Sequence, residues 1–321
     1  MKENKCIAQQ KIVVVLAILL ISSLCLGSCG TPSVSDTGRI TVTDDLGREV
    51  RFSNIPTRVC ALLGSFAEVW LLAGGTLSGA ASDAWGDFDL ALDGVKNLGG
   101  VHSPSLEAII SSEPELVIAS ASTVSHLDMK DTLSAMGIPV LYFEVDNFED
   151  YLGMLRRLTE ITGREDLYQK NGLEIREGIE RIKKQYSESS VSEAQRKILL
   201  LRASSTAVKP KGSEGTVLGE MLADLGCINI ADCADSALEN LSIEAILREN
   251  PYHIFVVTMG KDEDAAMRSL ESMIAENAAW ESLDAVKNGR MHLMNKKQFN
   301  IKPNVRWAES YEILYEKLIT P

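Results

Sequence analysis

The sequence predicts an α/β protein of two Rossmann-like lobes joined by a helical connector. Three observations predict it. The first is a repeat: Ser105-Leu106-Glu107-Ala108-Ile109-Ile110 runs through Pro114 into Leu116-Val117-Ile118-Ala119, and Ser242-Ile243-Glu244-Ala245-Ile246-Leu247 runs through Pro251 into Ile254-Phe255-Val256-Val257. Each copy reads as a short helix, a stop and a buried strand, once in each half of the chain. The second is rhythm, since short apolar runs alternate with helical periods, as in a mostly parallel sheet covered on both faces. The third is the middle, where residues 147–186 carry helical periodicity and no strand signal. At 321 residues the chain is long enough for two lobes that each bury a core.

Taken in order, Ile40 to Val50 alternates around Asp45-Leu46-Gly47 and predicts an opening hairpin. Val59 to Leu63 reads as a buried strand, followed by a loop with Ser65-Phe66 and a helix over 67–73 that Gly74-Gly75 ends. Leu77 to Ala81 predicts a second strand, with Ser82 to Trp85 as its loop. After the first repeat unit come a helix over 127–136 and a strand over Val140 to Phe143. Phe148, Leu152, Leu155, Leu158 and Ile161 then keep a 3.6-residue period, with Asp146 or Asn147 as the cap and Gly163 as the stop. A second helix over 166–186 places Ile175, Ile179, Ile182 and Tyr186 on one stripe. Lys197 to Leu201 restarts the strand-helix alternation, which passes through the second repeat unit to a strand at Met291 to Met294 and a last helix from Trp307 to Leu318.

Residues 1–28 read as an export signal. Lys2, Lys5 and Lys11 precede the apolar stretch Ile12 to Leu26, which is shorter than the about 20 apolar residues of a membrane span. Leu26-Gly27-Ser28-Cys29 resembles a lipobox, which makes Cys29 the lipid attachment site and a palmitate-type acyl chain the anchor; the alternative is an uncleaved anchor helix. Residues 29–38, small and polar, read as a flexible tether. An N-terminal lobe over 39–146, a connector over 147–190 and a C-terminal lobe over 191–321 follow. Such a chain is expected outside the cytoplasm, on the outer face of the cytoplasmic membrane or a periplasmic membrane face. With Cys6 and Cys25 removed and Cys29 acylated, Cys60 falls in an apolar strand pattern. Cys227 and Cys233 either pair across a short loop or are two buried thiols.

A net charge of −13 argues against a nucleic-acid-binding surface. No G-x-S-x-G, H-E-x-x-H, G-x-x-x-x-G-K-[ST] or G-x-G-x-x-G motif occurs. An enzyme is therefore not expected, although a membrane-anchored α/β enzyme is the rival reading from another class.

The order of motifs resembles the class III substrate-binding proteins of ABC importers, over roughly residues 39–319. The resemblance rests on a Thr43-Asp44-Asp45-Leu46-Gly47-Arg48-Glu49 hairpin, an Arg58-Val59 strand leading to Ser65-Phe66-Ala67-Glu68, and Leu106-Glu107-Ala108-Ile109 with Glu113-Pro114-Glu115-Leu116-Val117-Ile118. It continues in Met136-Gly137-Ile138-Pro139-Val140, Thr162-Gly163-Arg164, Leu218-Gly219-Glu220-Met221-Leu222 with Leu225-Gly226-Cys227-Ile228-Asn229, the second repeat unit, and Val286-Lys287-Asn288-Gly289-Arg290-Met291. It implies a monomeric binding lipoprotein that captures a metal chelate, a ferric siderophore or haem, in the interlobe cleft and delivers it to an ABC permease with its ATPase. A corrinoid, an oxyanion, or a sensor or carrier role without transport are the alternatives within that scaffold. The resemblance also implies that Glu107 and Glu244 dock the lobes onto permease arginines. Their bland role is a first-turn carboxylate favoured by the helix dipole, worth about 0.3–1 kcal/mol.

In two-lobed α/β binders the ligand lies against loops at the carboxyl ends of the strands. Those loops are expected to offer Ser65, Phe66, Trp85, His102 and Ser122 from the first lobe. From the second come Lys209, Lys211, Met259, Lys297, Phe299 and Arg306, with Lys296 and Lys302 beside them. The cations suit an anionic chelate or haem propionates, and Phe66 and Trp85 suit stacking on a planar ligand. His102 is the candidate axial ligand for iron, with Met259 as a soft alternative. No direct metal set is evident otherwise, since His126, His253 and His292 are scattered in sequence. No cofactor beyond the bound ligand is expected.

Overall fold

Asp44 fastens the start of the fold. Ile40–Thr43 and Glu49–Phe52 pair antiparallel, and in the turn between them the buried Asp44 carboxylate accepts from the main-chain N–H of Leu46 (3.1 Å) and Arg48 (2.9 Å). It also accepts from the Arg48 guanidinium (2.6 Å) and from the Tyr142 main-chain N–H (3.2 Å), which ties the hairpin to the edge of the first sheet. The structure, a computed structural model, describes residues 40–233, 242–260 and 262–320. The signal segment 1–28, Cys29 and the tether 29–38 lie outside the described residues.

The first sheet has five parallel strands in the spatial order Lys96–Asn97, Gly79–Ala80, Val59–Ala61, Leu116–Ser120, Val140–Phe143. The chain builds outward from Val59 to one side, then crosses back and builds to the other. The reversal falls between Val59–Ala61 and Leu116–Ser120. In the second sheet Lys197–Ala203 pairs antiparallel with Val208–Pro210, and parallel with both Ile228–Asn229 and His253–Thr258; Met291–Met294 closes the far side, also parallel. Here the reversal falls between Lys197–Ala203 and His253–Thr258. Both repeat units therefore do the same topological job: each delivers the strand that sits across the switch point from its lobe's first strand.

Their helices begin the same way. The Ser105 hydroxyl accepts from the Ala108 N–H (3.1 Å) ahead of Leu106–Ile110. The Ser242 hydroxyl accepts from the Ala245 N–H (3.3 Å) ahead of Ile243–Glu249. Each such cap stabilises its helix by about 1 kcal/mol.

Phe148–Thr162 starts on a reciprocal cap, with Asn147 Oδ1 accepting from the Asp150 N–H (3.1 Å) and Asp150 Oδ2 from the Asn147 N–H (3.2 Å). It ends at Gly163, whose φ of 70° suits a residue without Cβ. The following helix is broken into Glu165–Tyr168, one π-helical turn over Gln169–Leu173, and Glu174–Ser187. Close approach explains the turn: a Cβ on Gly172 would lie 2.6 Å from Leu152 Cδ1. These helices, together with Trp307–Ile319, carry one apolar cluster that runs from Val59, Leu116 and Phe143 in the first sheet through Tyr151, Leu155, Leu158, Ile179 and Ile182 to Leu200, Phe255 and Met294 in the second.

A polar strap adds to that spine. After the last strand, Lys296 Nζ meets Asp87 Oδ1 (2.9 Å), Lys297 pairs with Asp89, and Lys302 Nζ reaches Asp146 Oδ1 (3.6 Å). Asn304, buried and with a φ of 51°, donates from Nδ2 to the Ser65 carbonyl (3.0 Å) and to Glu68 Oε2 (2.6 Å). Arg306 also reaches Glu68 (3.3 Å).

The strands and long helices stand where the apolar patterns predict. Departures concentrate in short elements. The helix after the first strand spans Gly64–Leu72, so Ser65 and Phe66 lie in its first turn and not in a loop. The Asp83 carboxylate accepts from the Gly64 N–H (2.9 Å), capping that helix from a distant segment that local pattern cannot show. Asp83 to Trp85 of the expected loop belong to a short helix, Asp83–Gly86, with Ser82 just before it, and the helix expected over 127–136 is two pieces, Val124–Leu127 and Lys130–Ala135. Lys96–Asn97, Val208–Pro210 and Ile228–Asn229 are too short to show a period. Cys227 is a free thiol, pushed up to about 12 by burial.

Asn304→Ala removes two hydrogen bonds, one to a carboxylate, and puts a Cβ residue without amide compensation at positive φ. A loss of about 2–3 kcal/mol is expected in urea unfolding. A change below about 0.5 kcal/mol would mean the strap does not hold the first lobe.

Candidate functional site

Parallel sheets point the carboxyl ends of their strands at the loops that bind ligands. In the second lobe a cavity of about 540 Å³ opens there, lined by Thr258, Glu263, Met267, Leu293, Met294, Asn295, Lys296 and Lys297. It combines an apolar wall with two ammonium groups. Leu293 and Met259 are large apolar side chains left 53% and 50% exposed at these strand ends.

The first lobe offers Val124, 70% exposed, just past the end of Leu116–Ser120. Its loop is held rigidly. The Ser120 hydroxyl accepts from the Ser122 and Thr123 N–H groups (both 3.2 Å). Buried His126 accepts the Ser120 N–H at Nδ1 (3.1 Å), which leaves Nε2 to donate to the Val101 carbonyl (2.9 Å). Burial lowers the His126 pKa to about 4, so the ring stays neutral and keeps this donor-acceptor pattern.

A second cavity of about 380 Å³ is lined by Asp45, Glu144, Asp146, Glu149, Asp150, Gly153 and Arg157. Arg157 is already paired with Asp45 (2.6 Å) and Asp150 belongs to the helix cap. The remaining carboxylates repel an anion, so this hollow does not suit the ligand class the cations indicate.

The residues singled out from sequence divide into three groups. Met259, Ser122, His102 and Lys209 are exposed at or near the strand ends, and Lys211 is half-buried beside Leu200, whose carbonyl accepts its main-chain N–H (2.9 Å). Lys297 and Arg306 are cleft cations, but Asp89 and Glu68 of the first lobe already hold them. Phe66 and Phe299 are core residues, 2% exposed, with Phe66 edge-on to Phe143 at 6.2 Å. The stacking role expected of Phe66 does not survive, because helix Gly64–Leu72 starts early and turns Phe66 inward; Phe299, expected to line the cleft, is likewise core. Ser65 is buried beside it and offers its carbonyl to Asn304. Trp85 is half-buried against the alanine-lined cluster of Ala61, Ala67, Ala80 and Ala84.

Glu107 and Glu244 are both exposed, each the second residue of its helix and two residues past its capping serine. Its own main-chain N–H and the Ser242 hydroxyl hold the Glu244 carboxyl below the usual range, so it stays ionised.

Sequence spacing missed two features. His253 and His292 lie near the starts of neighbouring strands and come together, Nδ1 to Nε2, at 3.1 Å. Burial lowers both to about 4, helped by each other's charge for His253, by Lys317 for His292 and by Arg290 for both. Among the described residues no group of three or more His, Cys, Asp and Glu side chains is placed to hold a metal. The other missed residue is Arg202, near the carboxyl end of the central strand, whose Nε is shielded and has no hydrogen-bond partner among the described residues. An arginine interrupting Leu199-Leu200-Leu201 was the available signal.

Comparison with known proteins places the fold. A model of the family described as periplasmic binding protein matches residues 59–297. The putative ABC transporter substrate-binding lipoprotein YhfQ of Bacillus subtilis (strain 168) is 24% identical over 320 residues, covering 94% of this chain and 95% of its own. Staphylococcus aureus SirA complexed with staphyloferrin B matches with a TM-score of 0.67 at 22% identity, over 87% of this chain and 98% of that one. S. aureus IsdE complexed with heme gives a TM-score of 0.66 at 15% identity, over 82% and 99%. At such identities the two structures establish a shared fold.

His126, His253 and His292 are each held neutral, at about 4 against an ordinary 6.5. The unfolded chain takes up protons on these rings below 6.5, and the folded chain does so only near 4. Their stabilisation is therefore complete above pH 6.5 and declines as pH falls toward 4. The thermal midpoint should drop across that window, and His292→Gln should make the drop shallower; a variant slope equal to wild type would exclude this source.

Proposed function

We propose, from the premise that the chain belongs to the periplasmic binding protein family, that it is the substrate-binding component of an ABC importer and carries a metal chelate, a ferric siderophore or haem, between its two lobes. The observation that carries this reading is the equivalence of the repeat units. Glu107 and Glu244 occupy the same place on capped helices that lead to the same topological strand, and both are exposed. Two fixed carboxylates, one per lobe, give a docking surface with a defined orientation and speed encounter with a basic partner. The partner is the permease with its ATPase.

The cleft chemistry fits the cargo. An apolar wall from Met259, Met267 and Leu293 faces the ligand's body, while the lysines and arginines of the second lobe meet its acidic periphery. SirA complexed with staphyloferrin B and IsdE complexed with heme share this fold. His102 and Met259 are the residues that would approach haem iron. The protein acts as a carrier, without a catalytic step, and as a monomer.

The lobes are residues 39–146 and 191–321, with 147–190 as the connector. Residues 1–28 are removed as a signal, Cys29 takes the lipid, and 29–38 tether the protein to the outer membrane-facing surface it works from. Among the described residues no helix is long and apolar enough to cross a membrane. The helical spine limits closure to a small movement, so the permease reads a modest change in the spacing of Glu107 and Glu244.

Charge reversal at both glutamates (Glu107→Lys with Glu244→Lys) should abolish uptake and ligand-stimulated ATP hydrolysis in reconstituted vesicles, with the chelate's Kd changed less than about twofold. Normal transport by the double variant would remove the docking assignment. Offering haemin and ferric chelates to the purified protein while recording absorbance and tryptophan fluorescence tests the cargo. A Soret shift selects haem, and a ferric charge-transfer band with quenching selects a siderophore.

A further inference from the structure

Lys197–Ala203 is the central strand of the second sheet, and apart from its first residue and Arg202 it is apolar and buried. Arg202 is its penultimate residue, at the carboxyl end where the cleft loops begin. Register sets Lys209 beside it on one side and Val257 on the other, with Met294, a cavity-lining residue, one strand further on. Every other cleft cation on the strap has an acidic partner from the first lobe: Lys296 with Asp87, Lys297 with Asp89, Lys302 with Asp146, Arg306 with Glu68. Arg202 has no ion-pair partner among the described residues, and its Nε is shielded and unbonded. Burial alone acts on its guanidinium, lowering its pKa, with no carboxylate to offset the effect.

A half-buried cation without a counter-charge is destabilising, and a chain with 45 acidic residues does not lack for partners. The shielded Gln298 Nε2, on the short helix that follows Met291–Met294, is also a donor without an acceptor among the described residues. Neither donor finds an oxygen acceptor among the described residues.

We propose that Arg202 is the anchor for an anionic group of the bound solute, so that the cargo is a chelate with carboxylate or catecholate oxygens at its periphery and not a neutral or cationic one. The inference rests on the carrier reading above and deepens it. The planar guanidinium fork takes two such oxygens at once, fixing the orientation of the chelate against the end of the sheet. Lys209, the adjacent register position, adds positive charge to the same corner.

The test uses the full chain in detergent, titrated with ferric citrate, haemin and the cationic chelate ferrioxamine B, for wild type and for Arg202→Gln, Arg202→Lys and Arg202→Met. Wild type should bind an anionic probe, and Arg202→Gln should weaken that binding about ten- to hundredfold. Arg202→Lys, which keeps the charge and loses the fork, should fall between. Arg202→Met without ligand should unfold at or above the wild-type temperature, because an unpaired buried cation is removed. Retained affinity in Arg202→Gln, a wild-type preference for ferrioxamine B, or a lowered midpoint in Arg202→Met would overturn the anchor and leave the carrier reading standing. If wild type binds none of the three chelates, the carrier reading fails and the anchor fails with it.

Discussion

The geometry of the cleft depends on one continuous apolar packing, from the first sheet through the connector helices and Trp307–Ile319 into the second sheet. Tyr151, Leu155 and Leu158 from one connector helix and Ile179 and Ile182 from the other are buried within it. Opening it by even a few ångströms would expose side chains worth about 1.5–3 kcal/mol each. Relative movement of the two sheets is therefore confined to what side-chain adjustment allows. The polar strap from Lys296 to Arg306 reinforces the restraint with pairs that are individually weak, since several are solvent-exposed, but that act together.

That restraint gives the surface glutamates their meaning. Docking charges on two bodies connected by a loose linker would carry no orientation. Glu107 and Glu244 instead sit on capped first turns of helices that lead into packed strands, which is the fixed placement that the proposed docking role requires.

Charge in the cleft is organised by pairing. The second lobe supplies cations and the first supplies acids, and in this conformation most of them meet one another across the strap. A ligand that enters must either replace those acids or use cations they do not reach. Lys297 and Arg306 fall in the first class and Arg202 in the second. The second class binds without first breaking an internal pair, which makes it the better anchor.

The sequence by itself determined the class of fold, because periods of 2 and 3.6 residues are local and a buried strand such as Leu116–Ser120 or His253–Thr258 must be apolar throughout. It also narrowed the connector cap to Asp146 or Asn147, marked the stop at Gly163 and matched the two glutamates through their repeat. Tertiary structure alone decided which of the candidate residues are exposed at the strand ends and which are buried or paired. Phe66 reads as a loop aromatic until Asp83, nineteen positions beyond Gly64, caps the helix that starts there and carries Phe66 toward the core. Lys297 reads as available until Asp89 reaches it from the other lobe, and His253 and His292 read as unrelated until parallel pairing sets them side by side. In each case the deciding contact joins segments far apart in the chain, and the energy of such contacts leaves no trace in local pattern.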